Sequence, residues 1–159
     1  MREIIFRGKN IDLQWVEGDL LQNGVDYKTA IRDYGERLVE RVISHTVGQY
    51  TGLTDNNGKR IFEGDILKVK HGILGSEAKK PKMPRNAYGL HYKGTNSLYG
   101  RWFYYRNYVV EYKAHGNSRG KYIVRNGSDQ CDFTNSLFLN HDAKIIGNIH
   151  DNPELLEGK

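Results

Sequence analysis

Two stretches repeat an acidic pair across a glycine: Glu17-Gly18-Asp19 within QWVEGDLLQ, and Glu63-Gly64-Asp65 within RIFEGDILKV. Two carboxylates so spaced can act as general acid and general base, provided a pocket holds the substrate and their environments differ. The same triplet suits a bend, with glycine opening the backbone and Asp bonding nearby amides. Its duplication favours the bend, because a fold needs two corners more readily than an enzyme needs two identical centres. Both triplets are therefore read as corners.

Other constellations carry less. GLTDNNGK (Gly52–Lys59) has the look of a phosphate loop, but its spacing has one residue too many and Arg60 stands where a magnesium-binding hydroxyl belongs. GNSRGK (Gly116–Lys121) is too short. Both read as hairpin turns. The histidines are His45, His71, His91, His115, His141 and His150; none pair at helical ligand spacing, and the single Cys131 cannot begin a zinc knuckle. His141-Asp142 and His150-Asp151 are local pairs at most. Cys131 lies between Asp129 and Asp132, whose charge disfavours a thiolate. No metal, no cofactor and no enzymatic activity is expected.

One feature rises above this background. Residues 76–125 hold eleven Lys and Arg against two acids, and ten of the eighteen aromatic residues, while the rest of the chain is net acidic. Lys and Arg neutralise phosphates, and Tyr and Trp stack on unpaired bases. In RWFYYRNYVVEYK, read as a strand, Trp102, Tyr104, Arg106 and Tyr108 share one face, and Phe103, Tyr105 and Asn107 the other. One face can be core and the other a platform. The candidates are Trp102, Tyr104, Arg106 and Tyr108 as the platform, with Lys79, Lys80, Lys82 and Arg85 attracting a polyanion. The expected partner is DNA or RNA. The alternative is a homo-oligomeric protein-interaction module that contacts a phage or host protein, because interfaces also favour Tyr, Trp and Arg.

The elements that must position these residues are strands. Asn-Gly pairs at Asn23-Gly24, Asn57-Gly58 and Asn126-Gly127 suit tight hairpins, and the runs between them are short and rich in β-branched and aromatic residues. REIIFRG begins the pattern, NYVVEYKAHGNSRGKYIVRN makes a hairpin around His115–Gly120, and AKIIGNIHD ends it. VDYKTAIRDYGERLVERVI is ambiguous. Tyr27, Ile31, Tyr34, Leu38 and Val42 fall at helical spacing, but Gly35 interrupts it, and a hairpin turning at Tyr34-Gly35 fits as well. Asn152, Pro153 and Glu154 signal a short terminal helical turn, with Leu155 and Leu156 docking on the sheet. Residues 72–103, which contain Pro81 and Pro84, read as an irregular basic insertion.

The chain lacks an apolar run long enough to span a membrane and starts with charge rather than a signal core, so a cytoplasmic protein is expected. One cysteine fits a reducing compartment.

TVGQYTGLTDNNGKRIFEGDILKV (Thr46–Val69), together with MREIIFRG, WVEGDLL and IIGNIHDNPELL in that order, resembles the YopX-like family of bacteriophage and prophage proteins. The resemblance covers residues 1–21, 46–70 and 143–156 and leaves 72–107 outside. It implies a β-rich fold with an SH3-like barrel, carries over no catalytic residue, and favours the hairpin over the helix. The expectation is one mainly β domain over residues 1–159, with few or no long helices. Its SH3-like core uses strands near 46–71 and 104–125, closed by 143–150, with additional N-terminal strands and a C-terminal helical turn.

Overall fold

Antiparallel strands account for nearly all regular structure in the computed structural model, which describes residues 3–23, 28–35, 38–94, 100–115, 118–127, 129–132 and 143–157. The only helical elements among them are 3-10 turns at Ser44–Thr46 and Pro153–Leu156. Expected as one domain, the chain divides into two compact units, Met1–Gly64 and Asp65–Lys159.

The first unit holds β1 (Phe6–Lys9), β2 (Trp15–Asn23), β3 (Lys28–Asp33), β4 (Val39–Arg41), β5 (Gly48–Thr54) and β6 (Arg60–Phe62) in the order β4-β3-β2-β1-β5-β6. The ambiguous segment is a hairpin: Ile31 faces Glu40, Arg32 faces Val39, and the Leu38 carbonyl accepts from the Asp33 amide. Asp33 also accepts from the Gly35 amide at 2.6 Å, which closes the turn locally. Val16, Ile31 and Val42 form one buried cluster, and Ile5, Tyr50 and Phe62 another. The β5–β6 turn contains the supposed phosphate loop. Gly58 takes φ +78°, and Asp55 accepts from the amides of Asn57 and Lys59, so these amides face their own carboxylate.

The second unit holds β7 (Asp65–Gly75), β8 (Ala87–Gly94), β9 (Gly100–His115), β10 (Ser118–Asn126), β11 (Asp129–Asp132) and β12 (Ala143–Asn148). Its order is β11-β10-β9-β7-β12, so a meander is closed by its last strand returning beside its first. This is the SH3-like half-barrel. Leu67, Val69, Tyr108, Val110 and Val124 are almost fully buried and share its inner face by register. The barrel starts later than expected. Residues 48–62 pair within the first sheet, because β5 bonds to β1 and β6.

The two acidic triplets differ in use. Gly64 takes φ +84° between β6 and β7, so it is a corner, and Asp65 beside it is buried and accepts from Asn148 Nδ2 at 3.3 Å. Gly18 lies inside β2, opposite Asp33, where a Cβ would collide with the Arg32 carbonyl oxygen. The second is a close approach of backbones, not a corner.

Residues 72–103 are not an irregular excursion. They include the end of β7, all of β8 and the start of β9. Gly72 to Gly75 pair with Phe103 to Gly100, and Ala87 to Gly94 pair along the other edge of β9, with a bulge at Gly89, φ +68°. Among the described residues, Ser76–Asn86 connects β7 to β8 without regular structure. The Asn23-Gly24 turn and the His141-Asp142 pair lie outside the described residues.

Candidate nucleic-acid interface

β9 is 16 residues long, and its outer edge serves two partners in turn. From Gly100 to Arg106 it pairs with β8; from Val109 onward it pairs with β10. Its other edge pairs with β7 over Gly100–Val109. The result is a three-stranded outgrowth of the half-barrel, in which strand alternation separates two faces.

Trp102, Tyr104, Arg106 and Tyr108 do share a face, but half of them are shut away. Tyr108 is 2% exposed, and its hydroxyl meets His71 Nε2 at 3.1 Å. Trp102 is 8% exposed, and its indole N–H donates to the Ser76 carbonyl at 3.0 Å. The start of the β7–β8 connection therefore lies against this ring, and Tyr92 packs 5.3 Å from it. A ring so enclosed cannot stack on a base. Tyr104 is half-buried and stacks on His71, with Arg106 Cζ 6.0 Å from its centre. The expected platform is corrected accordingly: its ends belong to the interior.

The opposite face carries half-buried Lys68, Lys70, Phe103 and Tyr105 beside exposed Tyr88 and His91. Lys68 Nζ lies 4.3 Å from the centre of Tyr105 and 5.4 Å from Tyr88, and Lys70 Nζ lies 4.4 Å from Phe103. His91 stacks on Phe103 at 5.6 Å and on Tyr105 at 6.0 Å. Arg101 and Lys93 sit opposite each other toward the tip, and Lys144 sits opposite Lys68. Each of these three is exposed. No acid occupies this face between Arg101 and Asn107 or at the facing positions of β7, β8 and β12. Same-face neighbours on a strand repeat about every 7 Å, so Phe103 and Tyr105 form an evenly spaced pair of rings beneath cations.

Burial raises the Tyr88 phenol above its ordinary value, and the neighbouring Tyr105 adds to it. Its O–H donates to Asn107 Oδ1 at 2.7 Å. Lys79, Lys80, Lys82 and Arg85 are exposed on the Ser76–Asn86 connection, outside the strands. Among the described residues no group of His, Cys, Asp and Glu is placed to hold a metal ion, and no helix is long and apolar enough to cross a membrane.

Fold and face together define a small, mainly β protein in which an SH3-like half-barrel carries a basic aromatic outgrowth. The chain belongs to the YopX family: residues 5–157 match its model, described as YopX protein. Among solved structures it is similar to the crystal structure of protein EF1440 from Enterococcus faecalis, at 22% identity over 98% of this chain and 99% of that one, with a TM-score of 0.48. No curated protein matches it.

Proposed function

We propose that this YopX-family protein is a non-enzymatic accessory protein of a bacteriophage or prophage that binds nucleic acid in the host cytoplasm. The binding face is that of Lys68, Lys70, Tyr88, His91, Phe103 and Tyr105. The observation that carries the reading is the placement of the Lys68 and Lys70 ammonium groups directly over the rings of Tyr105 and Phe103. Phosphates draw the cations off the rings they cover, and unpaired bases stack on the ring faces so opened. The exposed Lys79, Lys80, Lys82 and Arg85 add long-range attraction without selecting a sequence.

The test is fluorescence anisotropy with labelled single- and double-stranded DNA and RNA across a salt series. Tighter binding to single strands, a steep salt slope, and weakening by Tyr105→Ala or Phe103→Ala support the reading. Absence of binding at low salt removes it.

A second reading, self-association, draws on β8. Its pairing to β9 leaves its other edge without a strand among the described residues, and on β7, across β9 from it, Leu74 is 77% exposed. The mass of the protein in solution by light scattering separates the two readings. A salt-resistant dimer that fails to bind oligonucleotides favours assembly.

A further inference from the structure

On the basic aromatic face, β8 and β10 meet end to end along β9, and the gap between them opens into a cavity of about 350 Å³. Three asparagines frame it. Asn86 Nδ2 donates to Asn126 Oδ1 at 2.7 Å, Asn126 Nδ2 donates to the Asn107 carbonyl at 2.6 Å, and Asn107 Nδ2 donates to the Leu155 carbonyl at 2.8 Å. These bonds fix the amides in place. They leave Asn86 with its Oδ1 and one N–H uncommitted among the described residues, an acceptor and a donor side by side. Asn86 also holds φ +54°, a left-handed backbone that asparagine tolerates better than most residues. Leu155 and Leu156 supply apolar wall, and Glu154 and Glu157 line the same cavity with exposed carboxylates.

This chemistry does not suit phosphate, which the two carboxylates repel. It suits a flat, neutral heterocycle with hydrogen-bonding edges. We infer that the cavity beside Asn86, Asn107 and Asn126 is a pocket for one nucleobase, selecting bases with an exocyclic amino group over thymine and uracil. The uncommitted acceptors, Asn86 Oδ1 and the carboxylates of Glu154 and Glu157, outnumber the donors. An exocyclic amine supplies the matching N–H groups, whereas thymine and uracil offer a single ring N–H. Asparagine reads adenine in the same sense, its oxygen accepting from the amine and its N–H donating to the ring nitrogen. The pocket is continuous with the cationic face through Tyr88. Its hydroxyl bonds Asn107, while its ring lies 6.0 Å from Tyr105 and 5.4 Å from the Lys68 ammonium. A strand whose phosphate rests on Lys68 brings the next base to the mouth.

The inference rests on the nucleic-acid reading of this face, and two probes separate their failures. The first is free nucleosides, which carry no phosphate. Adenosine and cytidine are expected to shift the side-chain amide NMR signals of Asn86, Asn107 and Asn126, and thymidine to leave them in place. The second is labelled homopolymers. Oligo-dA and oligo-dC are expected to bind about tenfold more tightly than oligo-dT. Asn86→Gly, which suits a left-handed backbone and removes only the amide, is expected to bring the three within twofold while sparing oligo-dT. Glu154→Gln is expected to narrow the preference without abolishing binding. Nucleosides that leave all three asparagines unmoved, with homopolymers bound equally, overturn the pocket and keep the face. Nucleoside shifts without any homopolymer binding keep the pocket and overturn the face. A preference that survives Asn86→Gly overturns the assignment to Asn86.

Discussion

The ammonium of Lys68 stands 4.3 Å from the centre of the Tyr105 ring on the outer face of the half-barrel. Strand pairing sets this relationship. Lys68 lies opposite Asn107, one same-face step from Tyr105, so the lysine crosses diagonally to the ring. Lys70 repeats the step toward Phe103. Lys68→Gln is expected to lower the salt slope of oligonucleotide binding by about one unit, as for loss of one phosphate contact. Tyr105→Ala is expected to weaken binding by about 1–3 kcal/mol with the slope unchanged. Anisotropy titrations across a salt series measure both.

Trp102 gives the opposite expectation. It is enclosed and bonded to Ser76, so Trp102→Ala acts on stability, by about 3–5 kcal/mol in urea unfolding. Below the unfolding transition the variant binds oligonucleotides within twofold of the wild type. A large loss of affinity in a fully folded variant would place the stacking surface on the Trp102 face instead.

The two Glu-Gly-Asp triplets fail differently when glycine is replaced. Gly64→Ala forces a left-handed alanine and costs about 1–2 kcal/mol. Gly18→Ala drives a methyl into the Arg32 carbonyl and separates β2 from β3, at about 3 kcal/mol or more. Urea unfolding ranks the two, and amide exchange distinguishes them. Gly18→Ala deprotects β2 and β3, whereas Gly64→Ala leaves their protection pattern intact.

Tyr34 provides a pH dependence. Its phenol is raised above 10.0, chiefly because its O–H donates to Asp19 Oδ1, at 2.5 Å, and with a smaller contribution from burial. The folded state therefore holds this proton more tightly than the unfolded state. The resulting stability is fully present below the unfolded value and is lost as pH rises through the folded one. Absorbance titration of tyrosinate is expected to lose a step above pH 10.0 in Tyr34→Phe, whose stability falls less steeply above that pH.

Much of the fold was legible because its turns carry local chemistry. Asn57-Gly58 marks a true hairpin, Tyr34-Gly35 follows an aspartate that closes the turn, and Pro153 opens the terminal helical turn. β8 was hidden because AYGLHYKG contains a bulge at Gly89 that breaks the two-residue period. Alternation in β9 divided the aromatics into two faces correctly. It could not say which face is covered, since the covering contact comes from Ser76, 26 residues away. The asparagine pocket gave no signal beyond the Asn126-Gly127 turn. Asn86, Asn107 and Asn126 meet only because two strands end at the same point on a third.

β9 runs unbroken from Gly100 to His115, so the outgrowth and the half-barrel share one ribbon. Held in the barrel at one end, it is a cantilever, and a load at its tip is felt at its root. Asn107 stands at that root, tied to Leu155, Asn126 and Tyr88. On the proposed reading, a strand of nucleic acid held at the tip would load the beam where a base would lodge, making its own foothold the gauge of its pull.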